Sequence, residues 1–91
     1  MEIYVKFVKK LEEKTGEGKN GAWKNAMYLC ETCESNPVQI AFKVRQNEHD
    51  RLAQYDNLKE GDVITLGLSV ESREYNGKWY TDALSYYFKK P

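Results

Sequence analysis

The stretch Val63-Ile64-Thr65-Leu66-Gly67-Leu68-Ser69-Val70-Glu71-Ser72-Arg73-Glu74-Tyr75-Asn76-Gly77-Lys78-Trp79-Tyr80-Thr81-Asp82-Ala83-Leu84-Ser85-Tyr86-Tyr87-Phe88 decides the fold. Ile64, Leu66, Leu68 and Val70 alternate with Val63, Thr65, Gly67, Ser69 and Glu71, the period of two that sends one side of a strand inward. Asn76-Gly77 is a strong hairpin signal, because both residues tolerate the positive φ of a two-residue turn. Trp79 to Phe88 is then the returning antiparallel strand. Gly67 stands where a long strand would bend.

Working upstream, Leu58-Lys59-Glu60-Gly61-Asp62 is a turn into that hairpin. Before it, Asn47 is a fair N-cap for residues 48–55, where Leu52 and Tyr55 at spacing three predict a helix of about two turns. Val38, Ile40, Phe42 and Val44 alternate with Gln39, Ala41, Lys43 and Arg45, which predicts a strand with a basic outer face. Residues 22–32 form another strand, with Trp23, Met27 and Leu29 on one face and Ala26, Tyr28 and Cys30 on the other; the pattern leaves open which face is inward. Lys14-Thr15-Gly16-Glu17-Gly18-Lys19-Asn20-Gly21 holds three glycines and no apolar residue, and reads as a flexible first loop. Ile3, Val5 and Phe7 supply the first strand. Three strands, a short helix and a two-strand hairpin suit an all-β, five-stranded OB-fold Greek-key barrel, since closing the sheet removes its exposed edges. An SH3-like barrel or an open sandwich is the alternative.

Ninety-one residues, 41% of them apolar and twelve aromatic, predict one domain over residues 1–91. No apolar run approaches the roughly 18 residues of a membrane span. The N-terminus carries no export signal, so the cytoplasm is the expected compartment. Fourteen basic and fourteen acidic residues cancel, which removes a large positive field as an argument for a polyanion partner. Residues 1–45 carry eight Lys/Arg against six Asp/Glu and residues 46–91 six against eight, a mild asymmetry of +2 and −2.

Cys30-Glu31-Thr32-Cys33 is a lone C-x-x-C. Zinc wants four ligands and only His49 could add another soft or borderline one, so the reading is a buried Cys30 and a turn-exposed Cys33, with no metal and no cofactor. His49 lacks a serine or cysteine partner at a recognisable elbow, and Gly16-Glu17-Gly18 lacks the Lys-Ser/Thr of a phosphate loop; no catalysis is expected.

Aromatics and cations interleave where an OB barrel binds nucleic acid, on strands two and three and the two flanking loops. The candidates are Lys14 and Lys19 in the first loop, Trp23, Lys24 and Tyr28 on strand two, and Lys43 and Arg45 on strand three. Arg73, Tyr75, Lys78, Trp79 and Tyr80 around the hairpin complete them. Trp23 and Trp79 would stack bases, with Tyr75 and Tyr80 secondary, while Lys19, Lys24, Lys43, Arg45, Arg73 and Lys78 neutralise phosphates. The competing reading makes the aromatics core or rim residues and Lys43 and Arg45 an ordinary solvated strand face.

Gly16-Glu17-Gly18-Lys19-Asn20-Gly21-Ala22-Trp23-Lys24, together with Leu58-Lys59-Glu60-Gly61-Asp62 and Glu71-Ser72-Arg73-Glu74-Tyr75-Asn76-Gly77-Lys78-Trp79-Tyr80-Thr81-Asp82, resembles a small family of Bacteroides-type bacteria and their phages. That family is similar to bacterial single-stranded DNA-binding protein. The resemblance implies an OB fold that binds single-stranded DNA, or alternatively RNA, with little sequence preference. A homo-oligomer, a dimer or tetramer, is expected on separate grounds: it would restore the avidity that zero net charge limits, and the exposed edges of a small barrel are natural pairing surfaces. The chain stops at Phe88-Lys89-Lys90-Pro91 without the acidic tail of those proteins, so recruitment of partners through such a tail is not expected. A different class of function, an OB module for protein interaction or oligomerisation with no nucleic-acid ligand, fits the same aromatics and edges.

Overall fold

The computed structural model describes residues 1–19, 21–46 and 51–91. Five strands and one helix follow in the order β1 (Glu2–Gly18), β2 (Gly21–Thr32), β3 (Gln39–Arg45), α1 (Arg51–Asp56), β4 (Val63–Tyr75) and β5 (Lys78–Lys89). The strands close as β1-β2-β3-β5-β4, with β4 returning to β1, which is the five-stranded OB barrel. Every neighbouring pair is antiparallel except β3 and β5, which meet in parallel at Lys43 and Leu84. Asn47 and His49 lie outside the described residues, as does the expected first turn of the helix.

Alternation settles what the sequence left open on β2: Ala26, Tyr28 and Cys30 are buried, so they face inward. Tyr28 is therefore a core residue and not part of an outer binding face. Its ring stacks on Phe42 at 5.7 Å between centroids and meets Tyr55 at 5.6 Å. Tyr55 and Leu52 are the buried residues of α1, and Tyr55 meets Phe88 edge-on at 4.9 Å. The helix thus plugs one end of the barrel with aromatic surface. The buried Tyr55 hydroxyl is satisfied by Ser85 Oγ at 2.7 Å.

The expected first loop is instead strand. β1 and β2 stay paired out to Gly18 and Gly21, forming an arm that projects past the barrel around a turn at Lys19. Glycine and charge suggested a loop, but Gly16 is held in the ladder opposite Trp23, and a Cβ on it would clash with the indole. The second arm is β4–β5, joined by Asn76 at φ 51° and Gly77 at φ 79°, a type I′ turn. Val70 lies in this arm and is exposed, against the expectation that it continues the inward row of Ile64, Leu66 and Leu68. Val38 precedes β3 and is exposed as well.

Gly67 joins the barrel to the second arm. It pairs with Glu2 on one side and Tyr87 on the other, and the β4–β5 register shifts immediately after it, as Leu68 pairs with Ser85. With no side chain on Gly67, the Tyr87 ring lies across it, and the Tyr87 hydroxyl donates to Glu2 on the next strand at 2.6 Å. The bend expected at this glycine is thus a bulge with an aromatic lid. Gly67→Ala drives a methyl into the Tyr87 ring and should cost about 1–3 kcal/mol, the range for overpacking. In a Tyr87→Ala background the same change should cost much less, a coupling that urea denaturation of the four proteins measures.

Candidate nucleic-acid interface

The registers sort the candidate residues by face. In an antiparallel ladder paired residues project to the same side, and alternate residues to opposite sides. Gly16 pairs with Trp23, Lys14 with Asn25, and Glu12 with Met27; Asn25 pairs in turn with Arg45, and Met27 with Lys43. These residues form one outer face, since the intervening Ala26, Phe42 and Val44 are core. On the second arm Tyr75 pairs with Lys78, Arg73 with Tyr80 and Glu71 with Asp82, and this row continues the same outer face. A cleft of about 310 Å³ is lined by Glu12, Lys14, Trp23, Asn25, Ala26, Met27, Lys43 and Asp82, so both arms border it. The Arg45–Glu71 ion pair at 3.8 Å links β3 to β4 across β5.

Trp23 is the best-presented aromatic on this face. Its indole rests on the bare backbone of Gly16, which fixes one side of the ring and leaves 45% of the residue exposed. Tyr80 and Tyr75 border a further hollow of about 380 Å³ with Arg73 and Glu74 on the β4–β5 arm. Lys19 sits at the exposed tip of the first arm and Lys78 at the base of the type I′ turn.

Two expected members fall on other faces. Trp79 pairs with Glu74 and shares its side of β5 with Thr81 and Ala83, the last of which packs against the core. It therefore projects from the arm on the side opposite Tyr80 and Asp82, at 68% exposure. Lys24 pairs with Thr15 and shares the side of Ala26, so it does not lie on the outer face with the other phosphate-neutralising candidates Lys43 and Arg45. Its ammonium reaches Glu13 at 3.2 Å. It borders only the open notch of about 790 Å³ at the end of β3, where Trp23 and Arg45 approach from the outer side and Thr15 and Lys24 from the inner.

Charge on the outer face is largely paired. Lys14 meets Glu12 at 3.7 Å, Arg45 meets Glu71 at 3.8 Å and Arg73 meets Asp82 at 4.0 Å. All three distances are long and the groups at least 40% exposed, so each pair is weak and exchangeable. Among the described residues Lys43 makes no ion pair. The contributions of Glu12, Asn25, Met27, Glu71 and Asp82 need the register to be seen. A hairpin folded symmetrically about residues 19 and 20 does pair Gly16 with Trp23, and that signal was available in the sequence.

The inner side of the first arm holds a tighter network. Tyr28 donates to Asp56 at 2.8 Å, and Lys10 lies 3.0 Å from the same carboxylate, with its ammonium 5.8 Å from the Tyr28 ring centroid. Burial alone would raise the Asp56 pKa. The hydrogen bond from Tyr28 and the ammonium groups of Lys10 and Lys24 outweigh it and hold the carboxyl below the usual range. Burial, then Asp56, pushes the Tyr28 hydroxyl up. Burial also pushes the Cys30 thiol up to about 11, which leaves it inert, while Cys33 is exposed at the end of the strand. Among the described residues no three His, Cys, Asp or Glu side chains gather to hold a metal ion.

Residues 2–88 match the family described as Domain of unknown function (DUF3127). No curated protein matches the chain. Among solved structures the chain is similar to the crystal structure of small single-stranded DNA-binding protein from Streptomyces coelicolor, with a TM-score of 0.49 and 14% identity over 100% of this chain and 94% of the other. That likeness is too distant to carry an argument about function.

A depressed carboxyl pKa contributes stability that is present above its unfolded value, about 3.9, and lost as pH falls through the folded value. Tyr28→Phe removes the hydroxyl from Asp56 and should cost about 1 kcal/mol at neutral pH, less than the roughly 1.5–3 kcal/mol of a hydrogen bond to a charged group because the Asp56 side chain is 39% exposed. The gap between the two proteins should narrow below about pH 4 as Asp56 protonates. Thermal melts from neutral pH to acid check both the size and the sign.

Proposed function

We propose, for a chain that belongs to the family described as Domain of unknown function (DUF3127), that the outer face between the two arms binds single-stranded nucleic acid without strong sequence preference. The observation that carries this reading is Trp23: an indole packed against Gly16 and still 45% exposed, on the same face as Lys14, Lys43 and Arg45. A base stacked there is worth roughly 1–3 kcal/mol, and every base has a π-face to offer. Lys43 meets a phosphate without losing an internal partner. Lys14, Arg45 and Arg73 do so by exchanging a long-range carboxylate for a phosphate oxygen. Tyr80 and Tyr75 extend the stacking surface along the second arm, and Lys19 and Lys78 extend the charge at the tips. DNA is the proposed ligand, with RNA the comparison.

Stacking and phosphate contact have separable signatures. Labelled oligo-dT of about 30 nucleotides should bind with a log–log salt slope of roughly −2 to −3, from three or four contacts at about −0.7 each. Trp23→Ala should weaken binding by about 10-fold, in line with one lost stack. Trp79→Ala, on the other side of the arm, should leave the affinity within about 2-fold, below one stacking contribution. Fluorescence anisotropy of the folded variants reads all three. Absence of binding at low salt, or equal losses from the two tryptophans, removes the proposal.

A further inference from the structure

Closing the barrel does not close every edge. β1 pairs with β4 from Lys6 opposite Val63 to Glu2 opposite Gly67, and two further bonds, Leu68 N–H to the Met1 carbonyl at 2.8 Å and the Met1 ammonium to the Leu68 carbonyl at 2.9 Å, end the contact. β4 continues to Tyr75, covered on its other side by β5. Among the described residues no strand pairs with residues 69–75 on the β1 side. Residues 70–75 are all exposed. A run of this length, with alternate main-chain groups facing open water, is a template for another strand.

We infer that this edge pairs with the same edge of a second copy of the chain, antiparallel and about a two-fold axis at Ser72. The occupant is argued from charge. A two-fold contact must be self-complementary, residue i meeting j while j meets i. Symmetric pairing about Ser72 sets Glu71 opposite the partner's Arg73, and Arg73 opposite the partner's Glu71, on one face of the ladder. Opposite charges directly across an antiparallel pair stabilise it, and like charges oppose it. Both side chains can exchange partners: Glu71 meets Arg45 at 3.8 Å and accepts a hydrogen bond from the Tyr86 hydroxyl at 3.3 Å, while Arg73 meets Asp82 at 4.0 Å and is 71% exposed. On the free edge of the first arm, the same symmetry about Thr15 sets Glu13 against Glu17. The pairing requires no nucleic acid and stands independently of the function proposed above.

The test is sedimentation velocity on the full chain without nucleic acid, across protein concentration at low salt. The wild type should sediment as a concentration-dependent dimer. Glu71→Arg and Arg73→Glu, each creating two like-charged pairs, should both sediment as monomers with an unchanged circular dichroism spectrum. Mixing these two variants should restore a dimer, because each supplies the charge the other lost, and so should the double swap in one chain. A wild type that stays monomeric at its highest soluble concentration overturns the inference. So does a dimer that both single variants leave intact, which would put the contact elsewhere, or a loss that neither mixing nor the double swap repairs.

Discussion

The structure turns on a ring lying where a side chain is missing. Tyr87 crosses Gly67 to reach Glu2, so three adjacent strands, β5, β4 and β1, are tied at one level of the barrel. The tie coincides with the end of the β1–β4 ladder and with the register shift in β4–β5. Below it the hairpin is a barrel wall and buries Ile64 and Leu66; just above it Leu68, Leu84 and Ser85 are still buried, and from Val70 onward β4 is exposed as an arm. The groove wall supplied by Tyr80 and Asp82 and the open stretch of β4 both exist because the strands outrun the barrel at that point.

The first arm repeats the device, with Trp23 across Gly16 in place of Tyr87 across Gly67. Both glycines sit in a strand, where glycine ordinarily weakens pairing, and in both the cross-strand aromatic covers the backbone that glycine exposes. The electrostatics are equally balanced. A chain of zero net charge cannot attract a polyanion from a distance, so any affinity rests on local contact. Long, exposed ion pairs keep the outer face nearly neutral until something displaces the carboxylates. The tighter Lys10–Asp56–Tyr28 set is turned to the inner side, where it helps hold α1 against the barrel.

Much of the fold was legible because the strands that build the barrel wall obey a period of two: Val5 and Phe7, Phe42 and Val44, Ile64 and Leu66 are each read and found inward. The Asn76-Gly77 turn was legible for its own reason, positive φ at both residues. The first arm was missed because a strand leaving the core has no buried face to show, and Gly16, Glu17 and Gly18 then look like loop. Val70 misled in the converse way, an apolar residue on an arm with nothing to pack against. The site was only half readable. Composition nominated the aromatics and cations; alternation puts Trp79 and Tyr80 on opposite sides of β5, but which of them faces the groove depends on pairing and on the register shift after Gly67, and Lys24 was grouped with the basic strand face because the inward side of β2 was still open.

The ladder between β1 and β4 also sets when this barrel can exist. Met1 and Leu68 are 67 residues apart in sequence, so the first strand has no second neighbour until most of the chain has been made. At about 5–20 residues per second that interval lasts several seconds, during which β1, β2 and then β3 can form only an open meander. Val5, Phe7, Tyr28 and Cys30, all buried at the end, are then open to water on one side. Contacts so distant along the chain slow folding as well, into the millisecond-to-second range common to small barrels. The outer half of the β1–β2 hairpin carries Glu12, Glu13, Lys14 and Glu17, charges of the kind that oppose edge-to-edge pairing with another strand.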